Sequence, residues 1–162
     1  MIERYYEDYT PGEVVRAPGY SFTEEAVVAW GLAYDPQPFH IDRLAAERSP
    51  YGGLIASGWQ VAAVSFRLIV QAGLLGSASL GAPGVDELRW LRPVRPGDTI
   101  YPEGEVLETR VSASKPDRGL VTIGYRVRNQ DGETVLTMRA VQIVRRRIPE
   151  AGGRPAAGPP AG

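Results

Sequence analysis

Apolar positions along this chain follow one rhythm up to about residue 84 and another beyond it. In the first half the spacing is helical. Ala26, Val27, Trp30 and Ala33 mark one side of a helix. Thr23 is a suitable N-cap for it, and Glu24 and Glu25 suit the positive end of its dipole. Asp35-Pro36 ends that helix, because a residue before proline avoids the α region. A short second helix is predicted over 41–47, broken at Ser49-Pro50. Residues 54–71 are apolar nearly all round, which predicts a long helix enclosed by the rest of the protein. Gly73, Gly76, Gly81 and Gly84 then mark loops. In the second half the period drops to two: Val121, Ile123, Tyr125 and Val127 alternate with Thr122, Gly124, Arg126 and Arg128. Four strands are predicted within 85–94, 99–112, 119–129 and 133–147, with one short strand earlier at 13–17. Pro96-Gly97-Asp98 and the turn at 129–132 punctuate them. Helices followed by an antiparallel run of strands predict an α+β fold, a curved antiparallel sheet wrapped around a long central helix.

The chain of 162 residues fits one domain, expected over 1–148. The Ala/Gly/Pro-rich stretch 149–162 reads as a disordered tail. The chain's 18 Lys+Arg against 19 Asp+Glu leave a net charge of -1 and no field to attract nucleic acid or an anionic membrane. Cysteine is absent, which removes disulfides, thiolate nucleophiles and Cys-ligated metal sites. With one histidine besides, no metal site is expected. Gln60, Arg67 and Gln71 interrupt the longest apolar stretch, so it reads as a buried helix and not a membrane span. The N-terminal segment is polar and acidic and carries no recognisable signal, and a cytoplasmic location is expected.

Chemistry concentrates in 33–58. His40 is the only histidine, five residues after Asp35, with Pro36 and Pro38 stiffening the peptide between them. Gly52-Gly53 precedes the long apolar helix. A carboxylate, an imidazole and a helix N-terminus are the parts needed to hold a water and polarise a carbonyl. The blander reading is that Asp35 only stops a helix and His40 only caps the next. Ser57, beside Gly58, is by itself more naturally a local backbone partner than a catalyst. Ser57, His40 and Asp35 would formally complete a hydrolase triad, but GGLIASG lacks the nucleophile-elbow pattern.

Three segments carry a family resemblance, in the family's order. Asp35-Pro36-Gln37-Pro38-Phe39-His40 resembles the D-x-N-P-x-H signature of MaoC-like dehydratases and (R)-specific enoyl-CoA hydratases. Gly52-Gly53-Leu54-Ile55-Ala56-Ser57-Gly58 resembles their G-G-x-I-A-H-G segment. Leu91-Arg92-Pro93-Val94-Arg95-Pro96-Gly97-Asp98 resembles their R-P-V-x-x-G-D strand and turn. Gln37 replaces the usual Asn, and Ser57 the common histidine. The resemblance implies a hot-dog fold with 54–71 as its central helix. It also implies a homodimer or higher homo-oligomer, and acyl thioesters of coenzyme A or acyl carrier protein as substrates, with no further cofactor.

The expected function is reversible hydration and dehydration of an acyl thioester, of the enoyl-CoA to 3-hydroxyacyl-CoA type. Asp35 and His40 are its catalytic candidates. Gly53, Leu54, Ile55, Ala56 and Ser57 are its substrate-binding candidates, with backbone amides at the helix start taking the thioester oxygen. A hot-dog acyl-CoA thioesterase and a non-catalytic acyl-CoA-binding subunit are the alternatives. Trp30, Trp59, Trp90 and Phe66 are read mainly as core or dimer packing. Arg92 and Arg95 have a better claim on a coenzyme A phosphate than Arg145–Arg147, which read as a solvated strand end.

Overall fold

The computed structural model describes residues 2–147; the expected tail and the domain boundary before it lie outside them. After a 3-10 turn at Tyr6–Asp8 come two short strands, β1 (Val14–Arg16) and β2 (Tyr20–Ser21). Helices α1 (Glu24–Tyr34), α2 (Pro38–Ile41), α3 (Arg43–Glu47) and α4 (Gly58–Gln71) follow. Four strands complete the fold: β3 (Val85–Trp90), β4 (Thr99–Val111), β5 (Arg118–Arg128) and β6 (Thr134–Arg145). All pairings are antiparallel. The sheet has six strands in the order β1-β4-β5-β6-β3, with β2 also on β4. No helix among the described residues is long and apolar enough to cross a membrane.

Local signals place the helix boundaries. The Thr23 hydroxyl accepts from the Ala26 amide at 3.1 Å and starts α1. Asp42 caps α3 in the same way, through the Ala45 amide at 3.0 Å. The predicted helix at 41–47 is thus two short helices meeting at Asp42, the first with Pro38 in its opening turn.

The arrangement corrects the expectation of a curved sheet wrapped around one long helix. The fold is α+β and hot-dog-like, but it has several short helices and a six-stranded sheet that does not enclose α4. That helix has fourteen residues and begins at Gly58. Residues 54–56 lie outside the helix instead, because the Ile55 amide donates to Phe39 O and the Ala56 amide to Val94 O. Only one face of α4 is buried, the face carrying Gln60, Val61, Ser65, Leu68 and Ile69. Trp59 remains 60% exposed and Phe66 39%. The all-round apolar composition reflects two uses: one face enters the core and the other borders an open apolar trough.

The core between α4 and the sheet holds Phe22, Ile69, Leu74, Ile100, Ile123 and Leu136, all essentially inaccessible. Gly104 lies where β4 passes beneath Leu74, and a Cβ there would collide with that side chain.

Candidate active site

Asp35 and His40 are brought together by the turn between α1 and α2. Asp35 is the C-cap of α1, its amide donating to Gly31 O at 2.9 Å. At Gly31 a Cβ would lie 2.7 Å from Ile41 Cγ2, so the glycine lets α2 pack directly on the end of α1. That packing turns the His40 ring inward, where it is 3% exposed. His40 Nε2 then lies 3.3 Å from Asp35 Oδ2.

The remaining ring nitrogen fixes the tautomer. His40 Nδ1 is 2.8 Å from Ile55 O. A carbonyl oxygen only accepts, so Nδ1 carries the hydrogen and, in the neutral ring, Nε2 presents a lone pair. The Phe39 ring packs edge-on against the imidazole, with centroids 4.6 Å apart, and holds its plane.

Asp35 is held from both sides. Ser57 Oγ donates to Oδ2 at 2.6 Å and Gln37 Nε2 donates to Oδ1 at 2.9 Å. Burial pushes the carboxyl pKa up, but the Ser57 and Gln37 hydrogen bonds, joined by His40 when its ring is protonated, keep it below the usual aspartate value. Asp35 is therefore a carboxylate at neutral pH. Ser57 also accepts from the Trp59 amide at 3.3 Å, so one hydroxyl caps α4 and orients the acid.

A cavity of about 470 Å³ opens onto the pair, and Gly58, Trp59, Trp90, Arg92 and Val94 are among its other walls. Of the five residues expected to bind substrate, Ile55 and Ala56 line this cavity. Ser57 stands behind Asp35, Leu54 is buried, and Gly53 lies near Arg95. The amides of 55 and 56 are already engaged. Gly58, the first residue of α4, lines the cavity, and its amide has no hydrogen-bond partner among the described residues.

Sequence reasoning missed the Ile55 carbonyl, a backbone group with no side-chain signature. It also missed Tyr51 and Val135 in the wall, which come from separate segments. The Gln37 and Ser57 departures from the family pattern prove to be the two side-chain donors to Asp35.

Known proteins share this fold. The MaoC-like dehydratase from Rhodospirillum rubrum is 40% identical and superposes with a TM-score of 0.84 over 90% of this chain and 99% of its own. The unliganded (R)-hydratase PhaJ1 from Pseudomonas aeruginosa is 26% identical, with a TM-score of 0.72 over 94% of this chain and 95% of its own. Mesaconyl-CoA hydratase from Haloarcula marismortui is 26% identical over 152 residues, 91% of this chain but only 41% of that longer protein. The model of the MaoC-like domain matches residues 7–129, three quarters of the sequence, and the chain belongs to that family.

Proposed function

We propose that the protein catalyses the reversible hydration of an enoyl thioester to a 3-hydroxyacyl thioester, with coenzyme A or a carrier protein as the thiol, and that Asp35 and His40 hold the reacting water. The observation that carries this reading is the pairing of two acceptors. With Nδ1–H committed to Ile55 O, neutral His40 offers only a lone pair at Nε2, and Asp35 Oδ2 is an ionised oxygen 3.3 Å away. One water satisfies both by donating a hydrogen to each, which leaves its own lone pair free to attack.

In the hydration direction the water oxygen bonds to the β-carbon and the C=C π pair moves toward the thioester. One water proton passes to the Asp35–His40 pair, and a proton from the pair completes the α-carbon. The product gains OH at one carbon and H at the next. The enolate oxygen formed on the way is stabilised by the Gly58 amide at the positive end of α4. Dehydration runs the same steps backward. The relatives' names, one a dehydratase and two hydratases, support this reaction class. Arg92, in the cavity wall, is exposed and pairs with the exposed Glu133 at 3.3 Å, a weak surface pair that it would exchange for a coenzyme A phosphate.

The protein acts as a homodimer. β3 is the last strand of the sheet, its outer edge is unpaired among the described residues, and Val85, Trp90 and Leu91 are exposed along it. A second copy adding its own β3 would cover this edge through backbone hydrogen bonds.

Crotonyl-CoA tests the reaction. Loss of the enone absorbance without release of thiol is expected. Thiol release would instead favour a thioesterase, and binding without either change a non-catalytic subunit.

A further inference from the structure

The catalytic cavity is not the only space beside α4. A second, larger one of about 1080 Å³ runs along the exposed face of the helix, between Ala62, Ala63, Phe66 and Val70 on one side and Met138 and Ala140 of β6 on the other. Two residues belong to the walls of both cavities: Trp59 and Trp90. Their rings meet edge to face, with centroids 5.1 Å apart and planes at 77°. We infer that this tryptophan pair is the acyl-length determinant of the site: it closes the inner end of the catalytic cavity against the apolar trough, so that the protein selects short acyl groups and its trough lies beyond their reach. The inference rests on the enoyl thioester reading above and adds to it the size class of substrate.

Three observations converge on the pair. The trough adjoins the catalytic cavity at the two indoles, and Met138, Ala140 and Gln142 on one face of β6 carry its wall onward. At about 3.4 Å per strand residue, the stretch from 138 to 142 adds roughly 14 Å of apolar wall. The trough therefore has the length and chemistry of a longer acyl tail, and the indoles stand at its entrance. Trp90 is also positioned by sequence. It pairs with Leu136 at the end of β3, and its indole lies over Gly58, where any Cβ would collide with it. Gly58 is thus the residue that allows the gate to sit across the first turn of α4. Finally, both indoles are substantially exposed, Trp59 at 60% and Trp90 at 46%. Neither is a core residue, and Trp90 lies at the end of the β3 edge assigned above to the second copy.

The test compares the wild-type protein with Trp59→Ala and Trp90→Leu, each confirmed folded by its melting curve. The kcat/KM for crotonyl-CoA and for trans-decenoyl-CoA is measured, together with calorimetric binding of the unreactive butyryl-CoA and decanoyl-CoA. The wild type is expected to favour the short substrate. Either variant should raise the decenoyl-to-crotonyl ratio at least about tenfold, the scale on which apolar pockets discriminate chain length. Decanoyl-CoA binding should tighten relative to butyryl-CoA. A wild type that turns over both substrates equally, or a ratio unmoved in both variants, overturns the gate. If the wild type hydrates neither enoyl-CoA, the hydratase reading fails and calorimetry decides the gate alone. Decanoyl-CoA tightened by the substitutions then upholds it, and unchanged or undetectable acyl-CoA binding overturns it.

Discussion

Replacing Ser57 by alanine separates the two tasks its hydroxyl performs. The hydrogen bond to Asp35 Oδ2, at 2.6 Å, is charge-assisted and worth about 2 kcal/mol. The cap on the Trp59 amide is longer, at 3.3 Å, and adds about 0.5–1 kcal/mol. Ser57→Ala should therefore destabilise the protein by roughly 2–3 kcal/mol at neutral pH. Losing this stabilisation of the carboxylate should also raise the Asp35 pKa from its lowered value. The two parts differ in pH dependence. Asp35 has a lowered pKa in the folded protein, so its contribution to stability is present above the ordinary aspartate value and lost as pH falls below it. The carboxylate part of the Ser57→Ala cost should fade over that acid range, while the capping part persists. Denaturant unfolding of both proteins from pH 7 down to about pH 3 reads this difference, and carboxyl NMR reads the titration. A cost that is the same at both ends of the range, or an unmoved Asp35 titration, would refute the claim that Ser57 orients and ionises Asp35.

Tyr125 offers a test at the alkaline end. Burial pushes its pKa up to about 12, against a Gln142 hydrogen bond that acts the other way. A raised folded pKa means its stabilisation is intact below the unfolded value near 10 and is lost as pH rises toward 12. Tyr125→Phe should remove roughly 2–3 kcal/mol of that alkaline decline, measured by unfolding between pH 9 and 12. Gly104→Ala should cost about 1–3 kcal/mol in a thermal melt, because its Cβ would collide with the buried Leu74, and an unchanged melting temperature would mean that contact can relax. Sedimentation at micromolar concentration should give a dimer, and Val85→Asp, which puts a charge on the exposed β3 edge, should shift it toward monomer.

The elements were largely legible in the chain because their signals are local. Thr23, Pro36 and the alternation around Ile123 depend on neighbours a few residues away. The path of residues 54–56 was not legible, since their amides are claimed by Phe39 and Val94 from distant segments. The enclosure of α4 failed for a related reason: apolar composition shows that a face avoids water, not whether core or trough receives it. In the site, the spacing of Asp35 and His40 and the position of Ser57 were visible. The hydrogen bonds that unite them were not, because they depend on Gly31 letting α2 close onto α1.

The central claim is that Asp35 and His40 act together on one water, and their single and double substitution tests it most directly. Turnover of crotonyl-CoA by Asp35→Asn, His40→Ala and the double variant is measured per folded molecule, with circular dichroism reporting the folded fraction. Each single change should lower kcat by about 10²-fold or more, and the double variant should be scarcely worse than either, as expected of groups that work as a unit. Near-normal turnover by folded His40→Ala would contradict the account, since the chain holds no second histidine to take its place.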